Sequence, residues 1–200
     1  MLRRVWREGW YGPARMIVSP NHGPRPDGVV PWLLVLHSIS LPAGEYGGDA
    51  IERLFTNRLD PQAHPSFADI AALRVSAHFV IRRDGALWQF VDCNRRAWHA
   101  GRSSWRGIPQ CNDHSIGIEL EGLEGTAFAA AQYPVLVGLV RALARRYPLR
   151  DVVGHQHIAP DRKGDPGAGF EWERLVRGLG WPRERFAPWS DAGPGTFPRG

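Results

Sequence analysis

Trp32-Leu33-Leu34-Val35-Leu36-His37 is a short apolar run without a charge that ends on an imidazole. A run of this length, flanked by proline and turn residues, reads as a strand buried on both faces. Ser115-Ile116-Gly117-Ile118-Glu119-Leu120 reads as a second strand. Its alternation sets Ile116, Ile118 and Leu120 on one face and Ser115, Gly117 and Glu119 on the other. Val152-Val153-Gly154 is a third, brief strand that stops at His155. Strands that hand imidazoles to their ends predict an α/β sheet with its chemistry at that edge.

The remaining pattern fits the same architecture. Residues 75–81 and 87–91 read as a hairpin around Asp84-Gly85. Asp49 is placed to cap a helix that carries Ile51, Leu54 and Phe55 on one side. Helical spacing runs through Tyr133, Leu136, Val137, Val140, Ala144 and Tyr147, and a closing helix is expected over 170–179. Residues 1–30, with Pro13, Pro20, Pro24 and Pro26, read as an irregular lead-in. The expectation is one α/β domain over residues 1–186, a central mixed β-sheet flanked by helices, and a mobile tail over 187–200.

Composition narrows the function. Lys and Arg total 25 against 20 acids, a net charge of +5. The basic pairs Arg3-Arg4, Arg82-Arg83, Arg95-Arg96 and Arg145-Arg146 are scattered among acids, so a nucleic-acid partner is not expected; a small anionic substrate explains the excess. No apolar stretch reaches the roughly 20 residues of a membrane span, and the N-terminal residues lack a signal sequence's apolar core. A cytoplasmic protein with no membrane partner is expected. Cys93 and Cys111 are too few for a disulfide framework and read as reduced thiols.

Twenty-four of the 25 basic residues are Arg; the one Lys is Lys163. An ammonium kept in an arginine-using chain suggests a position that needs a compact point-charge donor. Lys163 lies between His155 and Asp165 in Gly154-His-Gln-His-Ile-Ala-Pro-Asp-Arg-Lys-Gly-Asp-Pro-Gly167. With His37, this makes two imidazoles and one carboxylate, a composition that suits catalytic zinc with a fourth position left for water. Eight histidines allow other trios, so spacing alone does not select this one.

The segment from Gly154 to Gly167 resembles the signature of the AmpD-type 1,6-anhydro-N-acetylmuramyl-L-alanine amidases, within the wider zinc amidase and peptidoglycan-recognition family. Four further stretches agree with it in order: Leu36 to Pro42 with Gly47-Gly48, Leu73 to His78 with Ile81 to Gly85, Arg96-Ala-Trp-His-Ala-Gly101, and Cys111 to Gly122. The resemblance implies a peptidoglycan-recognition/amidase-like fold and one Zn2+ per chain, held by His37, His155 and Asp165. It further implies that Glu119 is the acid/base residue and that Lys163 donates to the oxyanion. Arg74 and Arg162 would meet stem-peptide carboxylates, and Trp98 would offer an apolar face to the anhydro-sugar. Ser38 stands where relatives commonly carry Asn, and Ser66 where they carry an aromatic residue; both bear on substrate preference. His78 and His99 read as hydrogen-bonded shell residues; His157 would face the way of His155 on an extended strand, but it is absent from the family's ligand pattern.

The reaction implied is hydrolysis of the amide between the lactyl group of anhydro-muramic acid and L-alanine, on an anhydro-muropeptide, in wall recycling. The alternative is a non-catalytic peptidoglycan-binding module on the same fold, which would usually lack one ligand. The oligomeric state is left open, with a monomer favoured.

Overall fold

Residues 5–191 are described by the computed structural model. Six strands form the central mixed sheet: β1 Arg15–Met16, β2 Leu33–Ile39, β3 Phe79–Ile81, β4 Leu87–Gln89, β5 Ser115–Glu121 and β6 Asp151–Gly154. Their spatial order is β6-β2-β5-β3-β4-β1. β2 runs parallel to both β6 and β5, β5 parallel to β3, β3 antiparallel to β4, and β4 parallel to β1. The helices are α1 Ala50–Phe55, α2 Gln132–Ala144, the single turn α3 His155–Ile158, and α4 Trp172–Leu179.

Side-chain alternation divides the core. Leu34 and Leu36 of β2 join Ile116, Ile118 and Leu120 of β5 under the apolar faces of α2 and α4. Leu33 and Val35 point the other way, onto Trp105, Cys111 and Ile158. β3 splits similarly: Phe79 and Ile81 pack with α2, while Val80 meets Ile51, Leu54 and Phe55 of α1. All of β2 from Leu33 to Leu36 is fully buried, so helices or loops cover both faces of the sheet centre.

The structure departs from the sequence reading in five places. β2 does not stop at His37 but runs on to Ile39, because Glu121 and Ile39 continue the parallel register. After Gly154 the chain turns into α3 rather than staying extended, so His157 leaves the direction of His155; its Nδ1 accepts the Gly154 amide and its ring meets Trp172 edge-on. Asp49 makes no side-chain cap and pairs with Arg53 instead. The lead-in supplies β1, the sheet's outer strand, and β4 pairs it in register with Trp88 and Gln89. Of the stretch from 187 read as a tail, Ala187–Trp189 form a 3-10 turn with Trp189 against the core; residues 192–200 lie outside the described residues.

β6 is the opposite edge. It has four residues and, among the described residues, pairs in the sheet only with β2, supplemented by a bridge between Val152 and the fully buried Phe186. The Asp151 carboxylate ties it to the 97–110 loop by accepting from Trp105 Nε1 at 3.0 Å and from Arg106 Nε at 2.8 Å.

Behind β5 lies a buried polar layer. His78 is fully buried, takes the Gly117 amide on Nδ1 and gives Nε2–H to the Arg95 carbonyl. Burial, and then the nearby Arg25 charge, push its imidazole pKa down to about 3. His157 is pushed down to about 4 by burial. A folded-state pKa below the unfolded value of about 6.5 means that the unfolded chain binds the extra proton, so acid favours unfolding. Stability should therefore be full above pH 6.5 and fall steadily from there toward pH 3, by up to about 1.4 kcal/mol per unit per histidine. Urea midpoints of metal-stripped protein measured across that range would check this; a flat profile would contradict it.

Candidate active site

Parallel pairing assembles the site. Glu119 of β5 is the register partner of His37 of β2, so the two side chains leave the sheet on the same face. Gly154 of β6 is the partner of Leu36 on the other side of β2, which puts His155 next to His37. The loop after α3 returns Asp165, held by the Gln156 amide donating to the Asp165 carbonyl at 2.9 Å. Gly154 lets this loop come close, since a Cβ there would lie 2.7 Å from Pro166 Cδ.

His37 Nδ1 is 3.1 Å from His155 Nδ1 and 3.2 Å from Asp165 Oδ2, and His155 Nδ1 is 3.2 Å from Asp165 Oδ1. Both outer nitrogens are engaged: His155 Nε2 donates to the Ala100 carbonyl at 3.0 Å, and His37 Nε2 meets His99 Nδ1 at 2.9 Å. A carbonyl can only accept, so His155 carries a proton on Nε2 and turns Nδ1 inward. Burial, and then the neighbouring His155, bring the His37 pKa down to about 4, so His37 is neutral near pH 7. Burial alone would raise the Asp165 carboxyl, but the bonds to His155 and His37 hold it well below the usual carboxylate range. One carboxylate and two inward-facing imidazole nitrogens thus converge on one point. Such a cluster of acceptors is what a divalent cation satisfies, and these ligand atoms lie within 4.8 Å of one another.

Two carboxylates on β5 face this side, and their surroundings separate them. Glu121 is fully paired: its Oε2 accepts from Arg82 Nε and the Arg83 amide, and its Oε1 from the Gly47 amide. Glu119 is 8% exposed, and its Oε2 is buried without a hydrogen-bond partner among the described residues. Burial, reinforced by the charge of Asp165 and opposed by Lys163, raises its pKa well above the usual value. A buried carboxyl held toward its protonated form, with one oxygen unpartnered, is suited to carrying a proton.

These groups open into a cleft of about 540 Å³. Ser38, Trp98, Arg162 and Lys163 line it with the trio and Glu119. Arg162 spends Nη2 on the carbonyls of Ala100 and Arg102. Arg74 lies outside the lining, exposed, with Nη1 on the carbonyls of Ala72 and Leu73; its neighbours Leu73 and Val75 line the cleft instead. Ser66 does not reach the lining; its hydroxyl pairs with His64 Nδ1. Sequence reasoning missed the apolar wall of Leu54, Phe55, Leu73 and Val75, because single apolar residues in helices and loops look like ordinary core.

Four similarities to known proteins bear on this site. An N-acetylmuramoyl-L-alanine amidase family profile matches residues 27–168. The 1,6-anhydro-N-acetylmuramyl-L-alanine amidase AmpD of Escherichia coli K12 is 54% identical over 170 residues, 84% of this chain and 93% of that protein. The crystal structure of a selenomethionine AmpD derivative superposes with a TM-score of 0.86 at 52% identity, covering 88% of this chain and 99% of that one. The E. coli amidase AmiD, solved with anhydro-N-acetylmuramic acid-L-Ala-D-γ-Glu-L-Lys, superposes with a TM-score of 0.55 at 30% identity, over 77% of this chain and 60% of that one.

Gly117 gives the site a direct structural test. A Cβ there would sit 2.5 Å from the His99 ring, which lies across the strand at that point. Gly117→Ala is expected to displace His99 from His37 and to cost about 1–3 kcal/mol of stability. A urea midpoint equal to wild type would show that the ring has room to withdraw.

Proposed function

Because the chain belongs to the N-acetylmuramoyl-L-alanine amidase family, we propose that it hydrolyses the amide between the lactyl group of 1,6-anhydro-N-acetylmuramic acid and L-alanine in cell-wall fragments. The observation that carries this reading is the convergence of His37, His155 and Asp165 beside Glu119 at the mouth of one cleft.

We assign His37, His155 and Asp165 as the ligands of one zinc ion, with donor types and approach that fit it. Bound there, zinc supplies Lewis acidity toward the scissile carbonyl and makes water a better acid, lowering its pKa toward about 7. Glu119 takes the proton of the attacking water on its unpartnered Oε2 and later returns it to the leaving amine of L-alanine. Its raised pKa supports both halves of that transfer. Lys163, exposed at the cleft and without a side-chain hydrogen bond or ion pair among the described residues, donates from Nζ to the developing oxyanion. Ser38 and the remaining donors of Arg162 face the peptide side, and Trp98 gives the sugar an apolar wall. Arg74 reaches a peptide carboxylate only by giving up its bonds to Ala72 and Leu73.

The same proposal places the enzyme in the cytoplasm. Cys93 and Cys111 are free and buried, as suits a reducing compartment. Among the described residues, no helix is long and apolar enough to cross a membrane. A non-catalytic binding module would have no use for an unpaired buried Glu119 beside a full set of ligand atoms.

Defined anhydro-muropeptides incubated with the protein should yield the free sugar acid and the intact peptide by mass. A chelator should stop the reaction and added Zn2+ restore it; chelator-resistant cleavage would refute the metal assignment. Lys163→Ala should keep its zinc by elemental analysis and lose about 10²–10³-fold in kcat. Near-normal turnover in that variant would remove Lys163 from the mechanism.

A further inference from the structure

Asn112 does not line the cleft, yet it holds the dipeptide that orients both imidazoles. Its Oδ1 accepts from the backbone amides of His99 at 3.1 Å and Ala100 at 2.8 Å. Those two residues then contact the two histidines from outside. His99 Nδ1 faces His37 Nε2, and the Ala100 carbonyl takes the proton of His155 Nε2. With an ion bound, His37 must carry its proton on Nε2, so His99 Nδ1 becomes its acceptor and His99 Nε2–H turns to Ser115 Oγ at 3.2 Å. One amide oxygen thereby sets the position of both outer partners.

Asn112 is itself anchored from behind. It sits in the 3-10 turn Cys111–Asp113. Arg25, only 9% exposed, gives Nη1 to the carbonyls of Asn112 and Asp113, and Nη2 to that of Ser115 at 2.8 Å. The turn is thus fixed to the start of β5, the strand that carries Glu119. From this geometry we propose that Asn112 is a positioning residue for the metal site, acting on His37 through His99 and on His155 through the Ala100 carbonyl. The inference rests on the ligand assignment made above. An outer partner that fixes a ring's tautomer and direction sets metal affinity, and losing one commonly costs 10–100-fold. Here a single side chain governs two of them.

The test is a Zn2+ titration of the metal-stripped full chain against a chromogenic chelator, at a temperature where each variant is folded by circular dichroism. Asn112→Ala is expected to bind Zn2+ about 10–100-fold more weakly. Asn112→Asp, which keeps an oxygen able to accept both amides, is expected to recover most of that loss. His99→Phe, whose ring still fills the space over Gly117, should lose about tenfold, and it answers the question if Asn112→Ala does not fold. On saturating zinc, Asn112→Ala should lower kcat for an anhydro-muropeptide with KM little changed, since Asn112 does not touch the cleft. Wild-type affinity in Asn112→Ala, whatever its stability, or in His99→Phe if that is the variant that folds, overturns the inference. Wild-type protein that binds no Zn2+ overturns the ligand assignment instead.

Discussion

The parallel register of three neighbouring strands is the constraint from which the site follows. β2 sits between β6 and β5, and pairing in register with both sets Gly154 beside Leu36 and Glu119 beside His37. A slip of one residue on either side would turn His155 or Glu119 toward the apolar layer under α2 and α4. That layer is made of Leu34, Leu36, Ile116, Ile118 and Leu120, so the slip would also expose the core. The energy that packs the hydrophobic face therefore also aims the polar one. Chemistry and stability share a single alignment.

Electrostatics complete what the register starts. Asp165 stays charged beside the two imidazoles, and Glu119 is kept from ionising easily by burial and by that charge. Two residues on, Glu121 faces Arg82 and two amides and is wholly committed to holding the strand end and the Gly47 loop. The same residue type on the same strand face is thus once a fastener and once a buried carboxyl with an unpartnered oxygen. Partners decide which.

How much of this could be read from residue order depends on distance along the chain. The apolar run before His37, the alternation around Glu119 and the lone Lys163 are local signals, and each placed its residue on the correct face or at the cleft. The fold class and the helices at 132–144 and 172–179 followed from periodicity. What escaped was set by contacts between distant segments. The two-residue strand Arg15–Met16 exists because β4 offers it an edge, not because its own sequence favours extension. Asp49 was placed to cap but had Arg53 within reach, and an ion pair on an exposed helix end replaced the cap. His157 was misdirected because a single helical turn right after a strand leaves no periodicity to detect. Asn112 carries no chemistry of its own, and only the bonds to residues 99 and 100 reveal its place.

The sheet's outermost member has a further bearing on behaviour. β6 is short, paired on one side, and secured by Phe186 and by the Asp151 contacts to Trp105 and Arg106. His155 follows it directly, whereas His37 belongs to an interior strand. An ion gripped by both would therefore work as a rivet between the rim of the sheet and its middle. Its escape and the peeling of that rim would become one event, so the lifetime of the loaded state would be set by how well a four-residue border is sewn down rather than by bond strength at the ion alone.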